Sequence, residues 1–209
     1  MVKVKICGVT NLEDALFCSE AGSDALGFIF YKKSPRYISF SKAEKIIKKL
    51  DPFVIKVGVF VNEKKEKVLK VAKEINLDVV QLHGEESKDF CDYLIKKGIK
   101  VIKAFFPKEF SLNFKNYKVD AYLFDVEFKE KMKKGYRLKE EIIKNLAPFT
   151  DKMRIIISGG LNCGNIKNVL RKITPYAVDV ASGVEISPGK KDKDLVKRFI
   201  KIVKNEIPR

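Results

Sequence analysis

At 209 residues, 45% of them hydrophobic, the chain has the size of one domain and is too apolar to be disordered, while no apolar run approaches the roughly 18 residues that cross a bilayer. The formal net charge of +16, from 43 Lys and Arg against 27 Asp and Glu, raises the question of a nucleic-acid partner. The lysines are spread along the whole chain without interleaved aromatics, so a solvated surface is the better reading and no nucleic acid is expected; a positive field still favours an anionic metabolite.

Strand-like and helix-like segments then alternate along the chain. Met1–Cys7 alternates apolar and polar residues, which predicts a strand over Val2–Ile6 rather than a signal peptide and hence a cytoplasmic location. That strand puts Lys3, Lys5 and Cys7 on one face and Val2, Val4 and Ile6 on the other. Asn11 caps a helix to about Ala21, and Asp24–Phe30 is a second strand. Ser41-Lys-Ala-Glu44 reads as a capping box ahead of Ile46, Ile47 and Leu50. Phe53–Val61 is a third strand, and Asn62 caps a helix with the stripe Val68, Leu69, Ala72 and Ile75. Strands over Asp78–Leu82, Lys100–Phe105, Asp120–Phe124, Arg154–Ile157 and Ala177–Val180 follow. Between and after them fall helices over Ser87–Lys97, weakly near Ser111–Asn116, then Leu138–Leu146, Asn162–Arg171 and Asp192–Val203.

Eight such units with short connections predict an α/β protein, a single (β/α)₈ TIM barrel over residues 1–209. An open doubly wound sheet is the alternative, but it wants G-x-G-x-x-G after the first strand, where this chain has Cys7-Gly8-Val9-Thr10. The cysteines, Cys7, Cys18, Cys91 and Cys163, form no C-x-x-C pair, and His83 is the single histidine. Neither a disulfide framework nor a metal site is expected.

Chemistry in such a barrel gathers at the C-terminal strand ends. Ser158-Gly159-Gly160 and Ser182-Gly183 end the last two strands, where barrels often hold phosphate on backbone N–H groups, so the expected ligand is a phosphorylated small molecule. Cys7 is either a buried structural thiol or a general base whose thiolate is favoured by Lys5, which lies one pleat below, roughly 7 Å along the strand. Asp125, after Tyr122-Leu123-Phe124, is either an acid or a helix cap. Arg36 is either solvated or a ligand for a planar carboxylate; His83 is either structural or part of the site, and Asp179 points inward.

Taken together, Lys5-Ile-Cys-Gly-Val-Thr10, Ser34-Pro-Arg-Tyr37, Gly58-Val-Phe-Val-Asn62, Val80-Gln-Leu-His-Gly-Glu85, Leu123-Phe-Asp125, Ser158-Gly-Gly-Leu161 and Asp179-Val-Ala-Ser-Gly-Val-Glu185 with Pro188-Gly189 resemble the phosphoribosylanthranilate isomerases of tryptophan biosynthesis over almost the whole chain. The resemblance implies a cofactor-free Amadori rearrangement of N-(5-phosphoribosyl)anthranilate to 1-(2-carboxyphenylamino)-1-deoxyribulose 5-phosphate. It implies that Asp125 is the acid, Cys7 the base, Arg36 the ligand of the anthranilate carboxylate, and Gly159, Gly160, Ser182 and Gly183 the phosphate site, with His83 and Asp179 close by. The chain departs from the family after the acid. A Gly-rich stretch and Phe-Asp-Trp are replaced by Val126–Lys139, which keeps only Gly135 and has no Trp; Tyr136 and Arg137 are the candidates to substitute. The related sugar-phosphate isomerase of histidine biosynthesis would be expected to carry Asp at Cys7, and a basic barrel binding nucleic acid is the non-enzymatic alternative. Monomer and homodimer are both left open.

Overall fold

The computed structural model describes residues 1–127 and 136–205. Eight parallel strands close a barrel in sequence order: β1 (Lys3–Cys7), β2 (Ala25–Ile29), β3 (Ile55–Phe60), β4 (Val79–Leu82), β5 (Lys100–Phe105), β6 (Ala121–Phe124), β7 (Ile155–Ile157) and β8 (Ala177–Val180). β8 returns to β1, with Lys5 opposite Asp179, so the expected (β/α)₈ class is the observed one. The α-helices are α1 (Leu12–Glu20), α2 (Phe40–Ile47), α3 (Lys65–Glu74), α4 (Lys88–Lys96), α5 (Glu140–Leu146), α6 (Ile166–Leu170) and α7 (Lys193–Asn205). A short hairpin, β9 (Glu185–Ser187) and β10 (Lys190–Lys191), follows a single 3₁₀ turn at Ser182–Val184. No helix among the described residues is long and apolar enough to cross a membrane.

Strand alternation sorts the side chains. Val4 and Ile6 are fully buried in the large core under the helices, whereas Val57, Ile102, Ala104, Leu123, Ile156 and Ala177 form a separate cluster that fills the barrel. The helices supply the other half of the outer core. α7 buries Val196, Phe199, Ile200 and Val203, spaced three and four apart on one face, and each contributes roughly 1.5–3 kcal/mol. Truncation within that stripe would open a cavity against β1, to which α7 is packed.

Three aspartates set the register from the N-terminal side. Asp24, Asp78 and Asp120, expected as the first residues of β2, β4 and β6, stand just before them. Each carboxylate accepts a backbone N–H from the preceding strand, from Val4 at 2.7 Å, Lys56 at 2.7 Å and Val101 at 2.8 Å. Each backbone N–H donates back to the carbonyl of the same residue. A side chain here supplies the acceptor that the next ladder residue would otherwise provide.

Several expected boundaries move for local reasons. The cap of α2 is Ser39, whose hydroxyl accepts from the Lys42 N–H, not Ser41; Glu44 pairs with Lys48 at 2.6 Å instead of closing a box. Asn62 does not cap α3, which starts after Lys64 without a side-chain cap. Asn62 has a φ of 50°, and its amide oxygen accepts the Glu85 N–H at 2.7 Å, tying loop three to loop four. β3 is shorter than Phe53–Val61, and Phe53 is exposed. The weak helix near 111–116 is a 3₁₀ turn at Asn113–Asn116. α5 begins at Glu140 rather than Leu138, and α6 at Ile166 rather than Asn162. The Asn162 amide oxygen instead accepts from the Gly164 and Asn165 N–H groups, making a turn.

Candidate active site

The C-terminal strand ends open onto one cavity of about 520 Å³. Cys7, Arg36, His83, Asp125, Gly159, Gly160, Asp179 and Ser182 all line it, although they come from loops far apart in the chain. Gly183 does not line it. A Cβ at Gly183 would run into the Leu161 carbonyl oxygen, so this glycine lets the turn after β8 lie against the turn after β7. Gly160 has a φ of 73°, and a Cβ there would run into the Tyr136 carbonyl oxygen. Its own carbonyl accepts the Asn165 amide at 2.8 Å. The two turns are therefore buttressed by polar contacts rather than by the start of a long helix.

Cys7, Lys5 and Asp179 form a buried cluster inside the barrel. Lys5 Nζ donates to Asp179 Oδ1 at 2.8 Å, with both side chains almost inaccessible. Gly27 on β2 makes room for them, since a Cβ there would sit 2.7 Å from the Cys7 sulfur and 3.1 Å from Lys5 Nζ. Burial pulls Lys5 down, but the charge of Asp179 and the contact with Cys7 outweigh it and hold the ammonium above its ordinary value. Burial pushes the Cys7 thiol up; Lys5 works against that shift and Asp179 reinforces it, so the net direction is upward. Lys5 thus favours the thiolate, as expected from the strand, but burial first and the Asp179 charge second outweigh it.

Asp125 is 2% exposed at the end of β6. The Val126 N–H donates to its Oδ1 at 2.7 Å, and His83 Nε2 lies 3.3 Å from its Oδ2. His83 is oriented in turn by Gln81, whose Nε2 donates to His83 Nδ1 at 2.9 Å. That donation leaves the ring proton on Nε2, directed at Asp125. The Phe106 ring meets His83 edge-on, 5.1 Å away. Gln81 Oε1 is buried and has no hydrogen-bond partner among the described residues. Sequence reasoning missed Gln81 as a site residue; the only signal was its place two residues before His83, on the inward face of β4.

Arg36 is already engaged. Its Nε lies 3.0 and 2.9 Å from Glu185 Oε1 and Oε2, and its Nη2 lies 2.7 Å from Oε2. Glu185 takes the Nε–Nη2 edge of the guanidinium, which leaves the Nη1–Nη2 edge for a second carboxylate. Glu185 and its partner Lys191 were not foreseen as site residues, because Arg36 and Glu185 stand 149 positions apart. Tyr136 bridges the segment after β6 to the last turn, with its hydroxyl 2.8 Å from Ser182 Oγ. This contact answers in part how the divergent segment meets the site; Gly135 lies outside the described residues.

The chain as a whole has counterparts among known proteins. Residues 4–202 match the family described as N-(5′-phosphoribosyl)anthranilate (PRA) isomerase. A Thermotoga neapolitana protein named N-(5′-phosphoribosyl)anthranilate isomerase is 48% identical over 210 residues, covering 98% of this chain and 99% of that one. A solved phosphoribosyl anthranilate isomerase in complex with reduced 1-(o-carboxyphenylamino)-1-deoxyribulose 5-phosphate matches with a TM-score of 0.84 at 45% identity, over 98% of this chain and 99% of that one. The phosphoribosyl anthranilate isomerase of Thermus thermophilus matches with a TM-score of 0.88 at 35% identity, over 97% and 98% of the two chains.

Proposed function

The chain belongs to the N-(5′-phosphoribosyl)anthranilate isomerase family, the aldose–ketose isomerases of tryptophan biosynthesis, and from that membership we propose how its residues divide the reaction. Its substrate is a phosphorylated small molecule, and the whole chain, residues 1–209, acts as one domain. A cytoplasmic location goes with that biosynthetic role. Asp125 gives a proton to the ribose ring oxygen, and the ring opens to an iminium. Cys7 removes the proton on C2′, and the resulting enolamine tautomerises to the ketone of 1-(2-carboxyphenylamino)-1-deoxyribulose 5-phosphate. The side chains of the protein supply both proton transfers without a cofactor.

One observation carries this reading: Cys7 and Asp125, a potential base and a potential acid, are buried at strand ends and line the same cavity as Arg36, Gly160 and Ser182. The turns at Gly159-Gly160 and Ser182 take the 5′-phosphate on backbone N–H groups and the Ser182 hydroxyl, with Gly183 keeping the two turns in contact. The open edge of Arg36 takes the anthranilate carboxylate. His83 orients Asp125, and Gln81 Oε1 is available to a hydroxyl of the sugar.

The test is the purified protein with phosphoribosylanthranilate, followed by loss of anthranilate-type fluorescence. Turnover with competitive inhibition by ribose 5-phosphate is expected; tight binding of bulk nucleic acid without turnover would overturn the reading.

Asp179 has a specific effect in this scheme. A base must be deprotonated to act, and the Cys7 thiol sits above its ordinary value, so kcat/KM should still be rising on the alkaline side of neutrality. Burial is the larger cause of that rise, but in Asp179→Asn the carboxylate charge that adds to it is gone, and Cys7 becomes the remaining anionic partner of Lys5. The alkaline limb should then move to lower pH. A pH profile of kcat/KM for the two proteins checks this, and a limb that stays put would mean that Cys7 is not the titrating base.

A further inference from the structure

Arg36 and Cys7 are both reached by one buried ion pair on the hairpin that follows β8. Lys191, with a side chain 0% exposed, lies 2.7 Å from Glu185, itself 3% exposed. Lys191 Nζ also donates to the Cys7 carbonyl at 2.5 Å and stands 3.5 Å from the Ala181 carbonyl. The same Glu185 carboxylate holds Arg36 by three contacts and accepts the Gly189 N–H at 3.3 Å. Burial pushes the Glu185 carboxyl up, but Arg36 and Lys191 outweigh it and keep it below the ordinary carboxylate range. A buried ion pair of this kind is weak evidence of a role in stability, since apolar residues of like volume often do as well. What it supplies is direction. Glu185 fixes the plane of the guanidinium, and the Arg36 stem is pinned from below, where a Cβ on Gly8 would come within 2.6 Å of its Cδ.

We propose that Glu185 and Lys191 are positioning residues for the isomerisation: Glu185 sets which edge of Arg36 meets the substrate carboxylate, and Lys191 balances Glu185 while holding the backbone of Cys7. This rests on the reading of Arg36 as the carboxylate ligand and Cys7 as the base. Neither positioning residue touches the reacting atoms.

The test is steady-state kinetics of wild type, Glu185→Gln, Arg36→Met and the double variant, with ribose 5-phosphate, which lacks the carboxylate, as competitive inhibitor. Glu185→Gln should raise KM about tenfold and change kcat by less than about threefold, the pattern of lost binding rather than lost chemistry. Its Ki for ribose 5-phosphate should match wild type. The double variant should be no worse than Arg36→Met alone, because Glu185 acts through Arg36. Additive losses, a normal KM in Glu185→Gln beside an impaired Arg36→Met, or a Ki that rises with KM would overturn the proposal and leave the carboxylate reading standing. A normal KM in Arg36→Met would remove that reading and the proposal with it. If thermal melts show Glu185→Gln to be poorly folded, Glu185→Asp, which keeps the charge but shortens its reach, is judged by the same KM, Ki and double-variant criteria. Lys191→Met, which frees the Cys7 carbonyl, should lower kcat more than it raises KM; the reverse split would overturn its role.

Discussion

Asp125→Asn should lower the turnover of phosphoribosylanthranilate by about 10²–10⁴-fold while leaving KM close to wild type. The amide has the size of the carboxyl and its oxygen can still accept the Val126 N–H, so the cavity should keep its shape although the contact with His83 Nε2 is given up. What it cannot do is give up a proton to the ribose ring oxygen as the bond to C1′ breaks. The interaction lost is thus one made in the transition state, and the loss should fall on kcat. The measurement is the first-order decay of substrate fluorescence at saturation, with a circular dichroism spectrum to show that the barrel is intact. Turnover within a few-fold of wild type would remove Asp125 from the acid role.

Cys7→Ser is expected to have a comparable effect, about 10²–10⁴-fold in kcat, for a different reason. The hydroxyl fits the space beside Gly27 and Lys5, so packing is kept. An alcohol, however, is far harder to ionise than even a thiol pushed up by burial, and no imidazole stands within hydrogen-bonding distance to take its proton, because His83 is turned toward Asp125 and Gln81. Proton removal from C2′ should become rate-limiting. Substrate deuterated at C2′ should therefore show a larger kinetic isotope effect with Cys7→Ser than with wild type. An unchanged rate, or a slow rate without that isotope effect, would argue that proton removal at C2′ does not depend on Cys7.

Much of this site is legible in the sequence. The runs Ile155-Ile156-Ile157 and Ala177–Val180 are short, apolar and bounded by turns, and the positional rule for barrels then gives Ser158–Gly160 and Ser182 to the cavity. Cys7 followed from its place at the end of β1, where the period of two put Lys5 one pleat below it, and Asp179 was read as pointing inward, but the pairing of Lys5 with Asp179 across the two strands was not visible. What escaped was long-range pairing among charges. Nothing near Arg36 in the chain announces Glu185, and nothing near Cys7 announces Lys191, 184 positions on. In a sequence with 43 Lys and Arg, no lysine is marked out by composition. Only the return of β8 to β1 brings the hairpin under the base. The helix starts failed for a smaller reason. Ser39 and Ser41 both offer a hydroxyl three residues before a free N–H, and which one caps depends on where the loop leaves β2. Gly183 was assigned to the phosphate surface because glycines approach anions closely, and its lack of a Cβ also permits an equally tight approach between two stretches of backbone.

The three aspartates beneath the barrel bear on how this enzyme can change over time. A slip of one residue between neighbouring strands would turn Cys7 or Asp125 from the lumen to the outer wall. Asp24, Asp78 and Asp120 oppose that slip from the end of the barrel remote from the chemistry, each gripping the strand before it with a carboxylate and an N–H. Alignment of the strands thus does not depend on the loops that face the substrate. Those loops are therefore free to be rewritten by mutation while the paired strands beneath them keep their alignment.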